Sequence, residues 1–328
     1  MGDEMKILVT GGAGYIGSHV VNLLGKDGAG HDVVVVDDLS TGHESSVHGA
    51  RLEVFDIGET KKLEELMARE KFQAVLHFAG SIVVPESVEV PLKYYENNTK
   101  KTLELIQLCE KLNIESFIFS STAAVYGIPP EGVASEELPT NPINPYGRTK
   151  LMTEWMLEDV SNAGPMRFVA LRYFNVAGAN VEGKTGQSTP NATHLIKIAA
   201  EVVAGKRSSM KIFGDDYETP DGTCIRDYIH VDDLAQAHVD ALTYLAGGGE
   251  SDIMNCGYGH GYSVKEVLDT VEKVSSVNLN AEVAPRRAGD APVLKSKADK
   301  IKRVIGWTPK YDDLELIVKT AIDWEKKL

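Results

Sequence analysis

The chain has 328 residues, 43% of them hydrophobic, with 34 basic and 48 acidic side chains and a formal net charge of −14. That length and apolar content suffice for one large core or two unequal ones. The acidic balance argues against broad attraction to nucleic acid or to an anionic membrane, and makes any arginine inside a pocket worth following.

No apolar run approaches the roughly 18 residues that span a bilayer. Met1-Gly2-Asp3-Glu4 leads almost directly into a strand, leaving no room for a signal peptide, so a cytoplasmic location is expected. The three cysteines, Cys109, Cys224 and Cys256, form no C-x-x-C pair, metal-ligand spacing or disulfide framework. They read as small buried hydrophobes in a reducing compartment, and no metal is expected.

The first apolar run, Ile7–Thr10, predicts a strand, and a helix is predicted over Ile16–Lys26. Between them Thr10-Gly11-Gly12-Ala13-Gly14-Tyr15-Ile16-Gly17 places glycines where a chain must turn tightly and approach a pyrophosphate closely. Gly11, Gly14 and Gly17, with the N–H groups around Tyr15 and Ile16 at the positive helix end, suit a dinucleotide phosphate. The second strand, Val33–Val36, ends on Asp37, 20 residues after Gly17, where a carboxylate can accept from both ribose hydroxyls. Asp38-Leu39-Ser40-Thr41 follows with no cation for a 2′-phosphate, which favours NAD over NADP. Asp56, after strand Leu52–Phe55, is placed either at the adenine edge or in a solvated loop.

Strands at Ala74–Phe78, Phe117–Ser120 and Phe168–Leu171 then alternate with helices at Lys61–Arg69, Leu92–Leu112 and Tyr146–Ser161. This βαβ rhythm predicts an α/β fold: a Rossmann-type doubly wound parallel sheet, its strands apolar on both faces because both are covered. After about residue 176 the rhythm changes. A loop is expected over Gly183–Thr193, and helices over Asp232–Ala246, Val264–Val274 and Asp313–Lys326, with a capping box from Ser263 and Glu266. We therefore divide the chain into a cofactor domain, residues 1-176, and a smaller mixed α/β lobe, residues 177-328, with some segments packing back on the first. His230-Val231-Asp232-Asp233 reads as a turn in which an Asp starts the next helix.

Tyr146-Gly147-Arg148-Thr149-Lys150 sets a phenol and an ammonium on one helical face. About one Tyr-x-x-x-Lys is expected by chance in this composition, so its weight comes from standing downstream of the glycine fingerprint. A free phenol near pKa 10 is a poor base at neutral pH. A neighbouring ammonium and a positive nicotinamide ring would lower it toward the range that proton removal from a sugar hydroxyl requires. Ser120-Ser121-Thr122 puts hydroxyls at the carboxyl end of a parallel strand, the usual ligand crevice of such sheets.

Together the glycine fingerprint, His77-Phe78-Ala79-Gly80, the Ser120–Gly127 stretch and Tyr146–Lys150 resemble extended short-chain dehydrogenase/reductases. Leu171-Arg172-Tyr173-Phe174-Asn175, Ile212–Tyr217, Asp221–His230 and Ala284–Asp290 narrow the resemblance to the UDP-glucose 4-epimerase branch, over essentially the whole chain. The resemblance implies a tightly held NAD, with Asp37 and Asp38 at its ribose and Asp56 and Ile57 at its adenine. Phe78, Ala79 and Tyr173 would line the cleft, and Lys150 would hold the nicotinamide ribose. It implies Tyr146 as base for the 4-hydroxyl with Thr122 beside it, and Asn175, His194, Leu195, Phe213, Arg226, Tyr228, Arg287 and Asp290 as the UDP-sugar site. C4 would be oxidised to a 4-keto sugar that turns about its phosphate linkage and is reduced on its opposite face, so UDP and not the hexose must anchor it. A homodimer formed through the helices near Leu92–Leu112 and Tyr146–Ser161 is also implied.

Thr122 and His194 stand where some relatives carry Ser and Asn, and Ser81–Ser87 lacks a basic residue that some carry. Leu294 falls near a position tied in the family to pocket size. Two other readings were weighed. Related dehydratases place an Asp-Glu pair after the strand hydroxyl; Ala123-Ala124 stands there, and methyl groups cannot exchange protons. A non-catalytic NAD-binding protein would have no need of Tyr146, Lys150 and Thr122 together.

Overall fold

The valine-, leucine- and phenylalanine-rich runs lie side by side as parallel strands. In the computed structural model, which describes residues 4–25, 28–190, 192–287 and 289–328, they are β1 (Lys6–Thr10), β2 (Asp32–Asp37), β3 (Arg51–Val54), β4 (Ala74–His77) and β5 (Ser116–Thr122). Strands Arg167–Tyr173 and Asp252–Cys256 complete a seven-stranded sheet. Its order is Asp252–Cys256, Arg167–Tyr173, β5, β4, β1, β2, β3, and every pairing is parallel. Chain order reverses between β1 and β4, the place where doubly wound sheets open a ligand crevice beyond their carboxyl ends.

Both sheet faces are dry, because successive strand residues face opposite ways. Ile7 and Val9 of β1 join a core with Val20 and Leu24 of helix Tyr15–Leu24 and with Leu234 and Ala241 of helix Val231–Ala246. Leu8 between them joins a second core with Leu63, Leu105 and Leu157 from helices Thr60–Glu70, Lys101–Lys111 and Pro145–Ala163. Strand Asp252–Cys256 and helix Val231–Ala246 lie beyond residue 176 yet pack on this sheet. Helices Leu195–Val203, Val264–Ser275, Asp299–Ile305 and Leu314–Glu325 and several short strands make up the rest of the lobe: Ile225–Arg226 lies between Tyr262–Ser263 and Val293–Ser296, and Met210–Phe213 pairs with Ala281–Ala284.

Three local expectations need correction. The helix expected over 92–112 is Pro91–Tyr94, a π-helical turn at Tyr95–Lys100 and then Lys101–Lys111, so one extra residue is inserted per turn in its middle. Helix Val231–Ala246 is capped by His230, whose Nδ1 accepts from the Asp232 N–H at 3.1 Å, and not by an Asp. Strand three ends at Val54, and Phe55 lies outside it. The Ser263–Glu266 capping box is present. Met1–Asp3, Lys26, Asn191 and Ala288, which fell in the expected N-terminal segment, first helix, late loop and arginine motif, lie outside the described residues.

Candidate active site

The glycine turn after β1 leaves no room for side chains. Gly11 has φ +72°, and a Cβ there would come within 2.5 Å of the Ala79 nitrogen; one on Gly17 would come within 2.3 Å of the Gly11 oxygen. Helix Tyr15–Leu24 starts from Gly14 with no side-chain cap and no acidic residue in its first turn. The first-turn N–H groups of Tyr15 and Ile16 therefore have no side-chain acceptor and point where an anion gains most from the helix end. A bare backbone cradle of this kind fits the pyrophosphate of a dinucleotide.

Asp37 closes β2 beside that cradle. Its Oδ2 accepts from the Ala13 N–H and its Oδ1 from the Leu39 N–H, both at 2.9 Å. Burial raises its pKa against those two donors, and one lone pair on each oxygen is left for a ribose hydroxyl. Asp38 is exposed and accepts instead from the N–H and hydroxyl of Ser40. Asp56 pairs with Lys101 at 2.5 Å and accepts from the Gly58 N–H at 2.7 Å, and beside it Ile57 is buried. Desolvation pushes its carboxyl up, but Lys101 and Gly58 outweigh that and lower it. On the other side of β1, Ala79 donates its N–H to Thr10 at 3.1 Å, and the Phe78 ring lies 4.9 Å from that of His238.

Asn144-Pro145 opens the helix that carries the proposed base. The Asn144 side chain accepts from the Gly147 N–H at 2.8 Å, and proline suits the first helical position. Tyr146 and Lys150 are both buried. The Thr122 hydroxyl lies by the Tyr146 phenol and draws its pKa down, and it accepts from the Ala124 N–H at 3.2 Å. Lys150 Nζ donates to the Ser120 carbonyl at 2.9 Å and lies 4.9 Å over the Phe119 ring, while the Ser120 hydroxyl is 2.6 Å from that of Tyr173.

The electrostatics depart from the sequence expectation. Burial raises Tyr146, with only Thr122 opposing it, and the ammonium of Lys150 is turned to the Ser120 carbonyl. Lys150 is itself pulled down to about 8 by burial, opposed by the carboxylate of Glu154. Taking both groups out of water outweighs their spacing on the helix.

Asn175, His194, Leu195 and Tyr228 line one cleft together with Gln187 and Trp324. Gln187 Nε2 lies 2.9 Å from His194 Nδ1, and His194 caps the helix Leu195–Val203 from an exposed position. Burial raises the Tyr228 phenol, while the charges of Arg226 and Arg287 lower it. Asp290 holds both guanidinium groups: Arg287 Nε donates to it at 2.9 Å, and Arg226 Nη2 lies 3.7 Å away. The Arg287 guanidinium also sits 4.8 Å over the half-exposed Phe213 ring. Two cations, one carboxylate and an available aromatic face are what a nucleoside diphosphate can engage.

Some residues of the site went unnoticed in the sequence. Asn98, buried in the π-helical turn, accepts from the Ser81 N–H at 2.7 Å and donates to the Ser81 carbonyl at 2.9 Å and to Thr149 at 3.2 Å. It ties the loop beyond β4 to the catalytic helix, and no spacing rule marks a lone helical Asn. Asp227, between Arg226 and Tyr228, is fully buried and accepts from the N–H groups of Tyr258, Gly259 and Ser296 and from the Ser296 hydroxyl. Among the described residues no group of His, Cys, Asp and Glu could hold a metal ion, and no helix is long and apolar enough to cross a membrane.

Residues 7–257 match the family model described as NAD dependent epimerase/dehydratase family. A relative from Azospirillum brasilense, UDP-glucose 4-epimerase, is 54% identical over 324 residues, 98% of this chain and 92% of its own length. The crystal structure of UDP-glucose 4-epimerase from Brucella ovis in complex with NAD superposes with a TM-score of 0.95 at 43% identity, covering 98% of each chain. The UDP-Glc/GlcNAc 4-epimerase of Campylobacter jejuni superposes with a TM-score of 0.85 at 52% identity, covering 99% of this chain and all of its own (100%).

Proposed function

The chain belongs to the NAD dependent epimerase/dehydratase family, and from that premise we propose that it interconverts UDP-glucose and UDP-galactose by oxidising and re-reducing C4 of the hexose. The observation that carries this reading is the gathering of Tyr146, Lys150 and Thr122 at the carboxyl end of a sheet whose first strand leads into a glycine cradle, in a chain that also pairs Arg226 and Arg287 on Asp290.

Gly11, Gly14, Tyr15, Ile16 and Gly17 hold the NAD pyrophosphate, with Asp37 and Asp38 at the ribose and Asp56 and Ile57 at the adenine. Phe78, Ala79 and Tyr173 wall the nicotinamide end, and Lys150 engages its ribose. When bound, NAD accepts and returns the hydride of C4, and its positive ring favours the Tyr146 phenolate. Tyr146 takes the 4-hydroxyl proton and gives it back, with Thr122 steadying the shared oxygen. Arg226 and Arg287 grip the diphosphate, Phe213 and Leu195 contact the base, and Asn175, His194, Tyr228 and Asp290 complete the hold on UDP. Anchoring at UDP leaves the 4-keto hexose free to present either face. Ala123 and Ala124 offer no acid or base for an elimination.

A second reading, turnover of UDP-N-acetylhexosamines as well, is favoured by the 52% identity to the Campylobacter jejuni enzyme; Leu294, packed against the cluster of Phe174 and Leu151, is intermediate in bulk and favours neither sugar. We take residues 1-176 as the cofactor domain and 177-328 as the substrate lobe. Exposed Leu92, Leu103 and Trp155 on the helices at 91–111 and 145–163 support a homodimer through those helices. The nucleotide substrates and three buried free thiols support a cytoplasmic location.

The purified protein should carry NAD and convert UDP-galactose to UDP-glucose without added reductant, with UDP-N-acetylgalactosamine run in parallel. Tyr146→Phe should fold, keep UDP affinity and lose about 10²- to 10⁴-fold in kcat, the usual worth of a positioned general base. A variant turning over at the parent rate would remove Tyr146 from the role of base.

A further inference from the structure

A buried ion pair lies directly behind the catalytic residues. Glu154 follows Lys150 by four residues on helix Pro145–Ala163, one turn further along the same face. Its carboxylate accepts from Arg172 twice, from Nε at 3.0 Å and Nη2 at 2.6 Å, and from the Ser121 hydroxyl. Arg172 Nη1 donates to the Tyr126 hydroxyl at 3.0 Å, its guanidinium lies 4.9 Å over the Tyr126 ring, and that hydroxyl donates to Asn255 at 2.7 Å. Glu154, Ser121 and Asn255 are fully buried and Arg172 is nearly so.

Three members of this net adjoin residues of the site. Ser121 precedes Thr122 on β5, Arg172 precedes Tyr173, and Ser121 and Arg172 are direct partners across the sheet. Tyr126 lies in the turn that Thr122 caps. Stability alone is a poor explanation, because well-packed apolar residues commonly replace a buried ion pair at no loss, whereas removing one partner is costly.

We propose that Glu154 and Arg172 are positioning residues: they lock the helix bearing Tyr146 and Lys150 against the strand end bearing Thr122. Among the described residues, the titratable groups by Lys150 are Glu154 and Tyr146 from its own helix and His77 from β4, and burial keeps the phenol and the imidazole neutral. Glu154 is thus the one facing group that offsets the desolvation of that ammonium. Arg172 orients Glu154 and is itself steadied by Tyr126. The catalytic consequence rests on the C4-epimerase reading; the effect on Lys150 does not.

The test uses Glu154→Gln and the double variant Glu154→Gln/Arg172→Met, each purified with its cofactor. The double variant removes both charges, so it folds even where the single one strands a buried guanidinium. In both, kcat should fall about 10- to 100-fold, the usual range for partners that orient an active group, with KM within about threefold of the parent. The ammonium titration of Lys150, followed by NMR on ¹⁵N-lysine protein and assigned with Lys150→Met, should move down by about one pH unit in Glu154→Gln, as loss of a neighbouring carboxylate requires, and by less in the double variant, where the Arg172 cation is lost with it. A Lys150 midpoint unmoved in Glu154→Gln, or a double variant that turns over at the parent rate, overturns the inference; a fall in kcat without the shift in Glu154→Gln is general loosening and does not support it. The midpoint is read without substrate, so a parent that fails to convert UDP-galactose overturns the C4 reading separately.

Discussion

Lys150 Nζ donates to the Ser120 carbonyl at 2.9 Å, so the ammonium is anchored to the strand that ends on Thr122, whose hydroxyl acts on the Tyr146 phenol. The anchor is a backbone oxygen, which cannot titrate. Loss of charge on Lys150 therefore weakens this bond, which a neutral amine makes less strongly than an ammonium.

With burial drawing Lys150 down to about 8 against the pull of Glu154, kcat should fall as pH rises through that value. An unperturbed lysine would hold its charge two units higher. The check is a kcat–pH profile at saturating UDP-galactose; a plateau extending well past pH 9 would show that the charge on Lys150 is not required.

Gly11→Ala should release the cofactor. The new Cβ would sit 2.5 Å from the Ala79 nitrogen at a φ of +72°, so the turn must move away from the position that cradles a pyrophosphate. Nucleotide freed on acid precipitation, measured per polypeptide by chromatography, should drop to a small fraction of the parent value.

Arg226 and Arg287 should differ in weight. Arg226 is largely buried and its guanidinium also donates to the Ile225 carbonyl, whereas the Arg287 side chain is half exposed. Arg226→Ala should weaken UDP binding by about 10- to 100-fold, and Arg287→Ala by less, since a shielded charge-assisted hydrogen bond is worth more than a solvated one. Isothermal titration with UDP would rank them, and equal losses would contradict the exposure argument.

Acid should destabilise the fold through its buried imidazoles. Burial holds His19 and His238 at about 4 and His77 and His230 at about 3, all below the ordinary 6.5. Unfolding therefore takes up protons as pH falls from 6.5 toward 4, and stability drops over that window. Asp232, raised to about 6 by burial, works the other way. His31, His48 and His194 are lowered by burial as well and Asp37, Glu158 and Asp240 raised, so the two classes partly offset and the net uptake is a few protons, each worth about 1.4 kcal/mol per pH unit within its window. The thermal midpoint, followed by calorimetry between pH 7 and 4.5, should fall steadily, with His238→Phe less sensitive than the parent.

The residues legible in the sequence are those whose job is local. Alternating strand and helix runs, the glycines after β1, Asp37 at the end of β2 and the i, i+4 pair of Tyr146 and Lys150 all follow from neighbours along the chain, because backbone sterics and helical periodicity act over a few residues. What only the tertiary structure decided is which distant groups meet. The β5 register that sets Ser121 against Arg172, the π-helical turn that aims Asn98 at both Ser81 and Thr149, and the sharing of Asp290 by Arg226 and Arg287 depend on packing between segments far apart in sequence. Charge state belongs to the same class. The spacing of Tyr146 and Lys150 suggests mutual stabilisation, but a group's desolvation depends on everything folded around it, and here that term moves the phenol up and the ammonium down.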